Sequence, residues 1–277
     1  MRLLRNGAQR ASPNSATWLK VFAAALVAIC GLSAIPPSAS AATMRVVIVV
    51  GPVESSTSSY ISDARALAAQ ARSYGAAVSE IYSPNATWSR VRSAAQGANI
   101  LIYLGHGNGW PSPYGPFQTR TKDGLGLNAR AASGNSNVKY YGEWYMRNYI
   151  HLASNSVVIL NHLCYSAGNS EPGRPNPTKT VAKQRIDNYG NGFLRSGARA
   201  VFAEPRNKAG YILYSLFKTS RTMREIFWSS SNSTHTYSFT FGSTKFSGMT
   251  AISDPYAPSR YYRSVIGKLD MTAATWR

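Results

Sequence analysis

The chain has 277 residues, of which 30 are Lys or Arg and 11 are Asp or Glu, giving a formal charge of +19, and 44% are hydrophobic. That apolar share, with many aromatic residues, excludes an intrinsically disordered chain, and the length fits one domain of ordinary size, with or without a small appendage. With only Cys30 and Cys164 available, the fold is expected to stand without disulfides.

Residues 1–41 carry Arg2, Arg5, Arg10 and Lys20 and no acid, then an apolar run at 21–35, Pro36-Pro37, and the small residues Ala39-Ser40-Ala41. This is the order of a secretory signal peptide with an A-x-A cleavage site. The apolar run is about 15 residues, short of the roughly 18 to 20 that span a bilayer, so no transmembrane anchor is expected in the mature form. Ile29, just before Cys30, is too bulky for a lipoprotein-processing site, which disfavours a lipid anchor. Cleavage after Ala41 would leave 236 residues at about +15 with Cys164 as the only cysteine. The product is expected outside the cell or on its wall. Its positive charge is spread, with only 195–206 locally dense, which suits anionic cell-wall polymers, other polyanions, acidic substrates or simply a solvated basic surface. No module for reading a specific nucleic acid is present.

In chain order, 44–50 is a nearly unbroken β-branched run closed by Gly51-Pro52, which suits a strand buried on both faces. Tyr60, Ile61, Ala64, Leu67, Ala68 and Ala71 recur at helical spacing, with Ser59 as N-cap and Gly75 as the stop. A second strand is expected over 76–82. Ser83-Pro84 opens a second helix whose Trp88, Val91 and Ala95 share a face until Gly97, and 100–104 is a third strand. The order β-α-β-α-β, with crossovers of this length, predicts parallel strands and right-handed connections. Residues 108–142 are rich in Gly, Pro, Ser and Asn without a clean period, which reads as a long surface loop or a small insertion. A short helix over 143–152 and a strand over 157–160 follow. Thr178 begins a helix that weakens at Gly190 and Gly192 and ends by Gly197; 198–203 is a fifth strand; 211–229 is helical with a break near Ser220. Residues 230–277 read as strands and loops, with alternation at 237–241 and a turn at Asp254-Pro255, and form a C-terminal extension packed on the domain formed by 42–229. The fold class is therefore α/β, a mostly parallel sheet flanked by helices with a short strand/loop extension.

Two strands stop on residues able to do chemistry: 100–104 leads to His106 and 157–160 leads to Cys164. Open parallel sheets bind ligands at the carboxyl ends of their strands, so adjacent strands can bring this imidazole and this thiol into one cleft. An imidazole assists a thiol to ionise and later protonates a leaving amine. The oxyanion of a tetrahedral intermediate needs fixed donors, and the N–H groups of Gly107 and Cys164 are expected to provide them. His162 would share a face with Cys164 if its strand continued; it reads as a second imidazole in the site or a packed histidine. Glu204, after the fifth strand, is a specificity candidate for a basic substrate side chain, or else a surface partner of Arg206 or Arg199. Ser166 lies outside any G-x-S-x-G elbow, so its hydroxyl is expected to cap the turn after Cys164. The histidines and Cys164 lack short ligand spacing, so neither a metal nor another cofactor is expected.

The sequence resembles the caspase-like cysteine peptidases, the group that includes caspases, metacaspases, legumain, clostripain and gingipains. The likeness is carried by Leu104-Gly105-His106-Gly107, by Leu163-Cys164-Tyr165-Ser166-Ala167-Gly168, and by the segment from Leu194 to Val201. It covers roughly 44–229 and implies a caspase-like sheet, a His106/Cys164 dyad and a peptide or protein substrate. His162 and Leu163 depart from the acidic or small residues that often precede the cysteine in that group. The rival expectation is a catalytically inactive caspase-like scaffold that binds cell-wall polymers or polyanions through its basic surface.

Overall fold

The computed structural model describes residues 43–277; the expected signal peptide, and Cys30 with it, lies outside the described residues. Five strands come first in the main sheet: β1 (Arg45–Val50), β2 (Ala77–Tyr82), β3 (Ile100–Leu104), β6 (Val157–Asn161) and β7 (Ala200–Glu204). Between β3 and β6 lies a separate hairpin of β4 (Leu125–Asn128) and β5 (Val138–Tyr141). The tail supplies β8 (Phe239–Gly242), β9 (Thr250–Ser253) and β10 (Ser264–Gly267). The sheet has eight strands in the order β2-β1-β3-β6-β7-β10-β9-β8. Pairing is parallel from β2 to β7 and antiparallel from β7 to β8. The expected class, an α/β fold with a mostly parallel sheet flanked by helices, is the observed one.

The unbroken apolar strands form the middle layer because each face of the sheet is covered by helices. On one face Val46, Ile48, Ile102, Ile159 and Phe202 meet α1 (Thr57–Ser73), α5 (Gly210–Lys218), α6 (Met223–Trp228) and the short α7 (Ala273–Trp276). On the other, Val47, Leu101, Val158 and Val201 meet α2 (Trp88–Ala95), α3 (Glu143–Tyr149) and α4 (Lys179–Arg195). Burying each such side chain contributes about 1.5–3 kcal/mol, so strands β1, β3 and β6 are the fixed frame of the molecule.

The local signals resolve as follows. Gly75 and Gly97, both at positive φ, end their helices as expected. Helix α1 begins earlier than Ser59: Ser56 takes the N-cap place without a side-chain cap bond, and the Thr57 hydroxyl donates to the Glu54 carbonyl at 2.9 Å while accepting from the Val53 amide. Thr178 does cap α4, accepting from the Val181 amide. Helix α4 does not weaken at its glycines, since a Cβ on Gly190 would strike Ile266 of β10 and one on Gly192 would lie 3.0 Å from Glu143 of α3. They are bare so that neighbours can approach.

The tail differs most from expectation. Its three strands extend the main sheet itself, and the final strand in sequence, β10, sits directly against β7. Asp254 likewise does more than mark a turn: its carboxylate accepts from the amides of Thr234 and His235, from the Thr234 hydroxyl and from Arg263. Among the described residues no helix is long and apolar enough to cross a membrane.

Candidate active site

Strand register sets the site. Leu104, the end of β3, is paired with Asn161, the end of β6, so the two following loops leave the sheet side by side. The chain then folds back over Tyr103, whose buried hydroxyl accepts from the Gly126 amide at 2.9 Å and lies 2.8 Å and 3.1 Å from the carbonyls of Gly126 and His106. A strand residue thereby ties the His106 loop to the hairpin. Gly107 then packs on the backbone of Cys164 so closely that a Cβ would collide with the Cys164 carbonyl and lie 3.0 Å from its amide nitrogen. Only glycine fits there.

His106, Gly107, His162 and Cys164 all line one cleft of about 800 Å³. The expected convergence of adjacent strands is thus met in the geometry. Cys164 is free and half-buried. Among the described residues neither the Gly107 nor the Cys164 amide donates to a protein acceptor, and the neighbouring amides of His106, Leu163 and Tyr165 are likewise without one.

Sequence reasoning missed Glu54. It stands past the carboxyl end of β1 and lies 3.0 Å from His106, Oε2 to Nε2. With Nε2–H donating to this carboxylate, Nδ1 is the nitrogen left to accept a proton. The only sequence signal was an acid three residues after Gly51, at the edge where the reactive residues gather. Glu54 is held at φ +45°, and His162 and Tyr165, flanking Cys164, sit at +63° and +68°. Left-handed backbone at non-glycine residues costs about 1–3 kcal/mol each and tends to gather at functional sites.

The strand holding Cys164 does not continue to it. β6 stops at Asn161 and His162 turns into left-handed backbone, so the shared-face argument for His162 fails. His162 nonetheless reaches the cleft, lying 3.2 Å from Asp63 and stacked on Tyr60 with ring centroids 4.8 Å apart. Ser166 caps the turn as expected, its hydroxyl donating to the Leu163 carbonyl at 3.2 Å.

Glu204 is a correction. It is fully buried at the end of β7 and does not line the cleft. Its carboxylate accepts from Arg263 Nε at 3.2 Å, Tyr211 Oη at 2.6 Å and Asn207 Nδ2 at 2.9 Å, and its partner is neither Arg206 nor Arg199. Burial pushes the carboxyl up against the pull of these donors. No substrate side chain can reach it.

The loop over 108–121 is built rather than loose. Lys122 Nζ donates to Asn108 Oδ1 at 2.8 Å, Ser112 Oγ at 3.0 Å and the Tyr114 carbonyl at 2.8 Å, while Arg185 and Asn188 of α4 hold the carbonyls of Pro111 and Trp110. Tyr114 then crosses to the loop after the thiol, its hydroxyl donating to Glu171 Oε2 at 2.7 Å; the Tyr165 hydroxyl donates to Oε1 at 3.0 Å. The Cys164 thiol is pushed up to about 11, first by burial and then by the Glu171 carboxylate, with Arg206 pulling the other way. At neutral pH the resting group is the thiol. Among the described residues no cluster of three or more His, Cys, Asp or Glu side chains is placed to hold a metal.

No protein-family model matches the sequence, and no curated protein matches it. Among solved structures, the chain is similar to the Arg-specific cysteine proteinase gingipain R (RGPB) at 13% identity and a TM-score of 0.35, covering 83% of this chain and 61% of that one. It is also similar to protein GSU0716 from Geobacter sulfurreducens at 14% identity and a TM-score of 0.33, covering 67% of this chain and 86% of that one. The chain thus spans about three-fifths of the length of gingipain R. Likenesses this slight carry no argument about activity, which has to come from the cleft.

Proposed function

We propose that this protein is an exported cysteine endopeptidase whose nucleophile is Cys164 and whose general acid/base is His106. The observation that carries the reading is the meeting, in one cleft, of a free thiol, a carboxylate-held imidazole and two amides without acceptors. In the peptide complex the thiol proton passes to Nδ1 of His106 as sulfur bonds to the scissile carbonyl carbon. The carbonyl oxygen, now an oxyanion, accepts from the Gly107 and Cys164 amides. The C–N bond breaks as the imidazolium returns its proton to the leaving amine, giving a thioester. Water, deprotonated by His106, then attacks the thioester and releases the acid with the thiol restored.

Because the resting thiol is protonated, transfer to the imidazole accompanies attack and is not completed beforehand. Glu54 keeps the ring turned and its Nε2 protonated through the cycle. The test is turnover of a peptide library, with thiol-directed alkylation in parallel. Cys164→Ala should reduce hydrolysis by about 10³-fold or more and abolish labelling, and His106→Ala should cost about 10²–10⁴-fold. Hydrolysis that persists undiminished in Cys164→Ala would end the proposal.

A further inference from the structure

At the opposite end of the sheet, among the loops that lead into β6 and β7, lies a groove of about 540 Å³ lined by Arg147, Arg195 and Arg199 together with Asn148 and Ser154. We infer that this groove is a second binding site, separate from the catalytic cleft and independent of its chemistry, that takes the phosphate groups of an extended, base-free phosphodiester polymer.

The arginines come from three different elements. Arg147 lies in the last turn of α3, Arg195 ends α4, and Arg199 stands in the turn before β7. No carboxylate lines the groove, and among the described residues none of the three arginines is in an ion pair. Arg195 is held in place, its Nε donating to Asn191 Oδ1 and its Nη2 to the Lys245 carbonyl, both at 3.0 Å, with the guanidinium 5.3 Å from the centre of the Phe246 ring. Arg147 and Arg199 make no side-chain hydrogen bond among the described residues, so their five-donor forks are free.

A cation near a helix C-terminus is ordinary, since it offsets the helix dipole, and this explains Arg147 and Arg195 singly. It does not explain Arg199, which caps no helix, nor why all three share one concave surface. Three guanidinia lining one groove without a counter-charge favour an anion, and phosphate suits them best because its oxygens match the fork two at a time. The groove is too large for one phosphate and its arginines come from three separate elements, which favours a chain of them. Stacking of nucleobases needs bare aromatic faces, and the one ring lining the groove, Phe246, already lies under Arg195. A polymer of polyol or sugar phosphates therefore fits better than single-stranded nucleic acid.

The test is a calorimetric titration of the purified protein with poly(glycerol phosphate) at two salt concentrations, with oligo-dT of matched phosphate number as the rival probe. Replacing Arg147, Arg195 and Arg199 together by Gln should weaken polymer binding by about tenfold or more and flatten its salt dependence. A control that removes the same charge elsewhere, Arg90→Gln with Arg221→Gln and Arg224→Gln, should change binding by no more than about twofold, as expected for screened charges outside the site. Arg199→Gln alone breaks no side-chain bond within the protein, and it should weaken binding several-fold at an unchanged melting temperature. Equal losses in the two triple variants, or no loss in Arg199→Gln, would show diffuse attraction without a site and overturn the inference. Binding of oligo-dT as tight and as groove-dependent as that of the polymer would overturn the base-free assignment.

Discussion

Glu54 and Glu204 both stand at the carboxyl edge of the sheet, one just past β1 and one ending β7, and their surroundings differ in nearly every respect. Glu204 is closed off: Arg263, Tyr211 and Asn207 satisfy it, and Arg263 goes on to bind Asp254, Ser233 Oγ at 2.5 Å and the Phe227 carbonyl. Glu54 is open to water and binds one imidazole. A buried carboxylate held by three donors fixes where elements sit, whereas in the proposed reaction an exposed one aimed at a single ring sets which nitrogen of that ring is free. The two lie on one sheet edge, so the same architecture that stabilises the tail also stands behind the reactive cleft.

The largest expected effect falls on the buried network. Arg263→Ala strands two carboxylates, Glu204 and Asp254, and should cost about 3–5 kcal/mol, a large part of the roughly 5–15 kcal/mol that holds a domain folded. Urea unfolding measures it. Glu54→Gln should change the same unfolding free energy by no more than about 0.5 kcal/mol, as for ordinary surface substitutions, and a comparable loss in both would erase the contrast.

Activity should respond in the opposite order. Glu54→Gln should lower kcat/KM by about tenfold, less than the roughly 10⁴-fold seen for a fully buried orienting carboxylate, because water partly replaces it. The loss should fall on kcat, because an imidazole no longer held in place slows proton transfer without weakening substrate binding. A rise in KM alone would assign Glu54 to substrate contact instead.

The smallest effect is at Glu171. Its carboxylate disfavours the thiolate, so Glu171→Gln should let Cys164 ionise at lower pH and speed alkylation by roughly two- to fivefold near pH 8. The sign for stability follows from the same shift. An unfolded cysteine loses its proton near 9 and the folded one only near 11, so between these values the folded state binds more protons and stability falls as pH rises. Glu171→Gln should reduce that fall; stopped alkylation at graded pH reads the ionisation, and urea unfolding at graded pH reads the stability. An alkylation curve unmoved by the substitution would remove Glu171 from the account of the thiol.

Strands β1, β3 and β6 were legible because residues buried on both faces leave continuous apolar runs, and from their order the meeting of His106 with Cys164 followed. The hairpin was not, because β4 and β5 have four residues each amid Gly and Asn and their pairing is a tertiary fact. Arg263 is fully buried, yet it follows Arg260, Tyr261 and Tyr262 in a stretch that reads as loop, so neither charge nor period pointed to it. Glu54 escaped because a single acid after Gly-Pro has no pattern; only its distance to His106 gives it meaning. Glu204 misled for the complementary reason, since position at the strand end was right and burial was invisible.

The position of β10 has a consequence for how the molecule is made. Among the described strands it is the last in sequence, yet it lies between β7 and β9, so a growing chain holds β7 with a bare edge until Ser264–Gly267 is available. Pairing across so long a separation is slow, and an unpaired edge invites wrong partners in the interval. Until β10 docks, Glu204 also lacks the guanidinium of the preceding Arg263, leaving a carboxylate without its counter-charge. A copy lacking Arg263 and β10 would keep both the bare edge of β7 and the unpaired carboxylate.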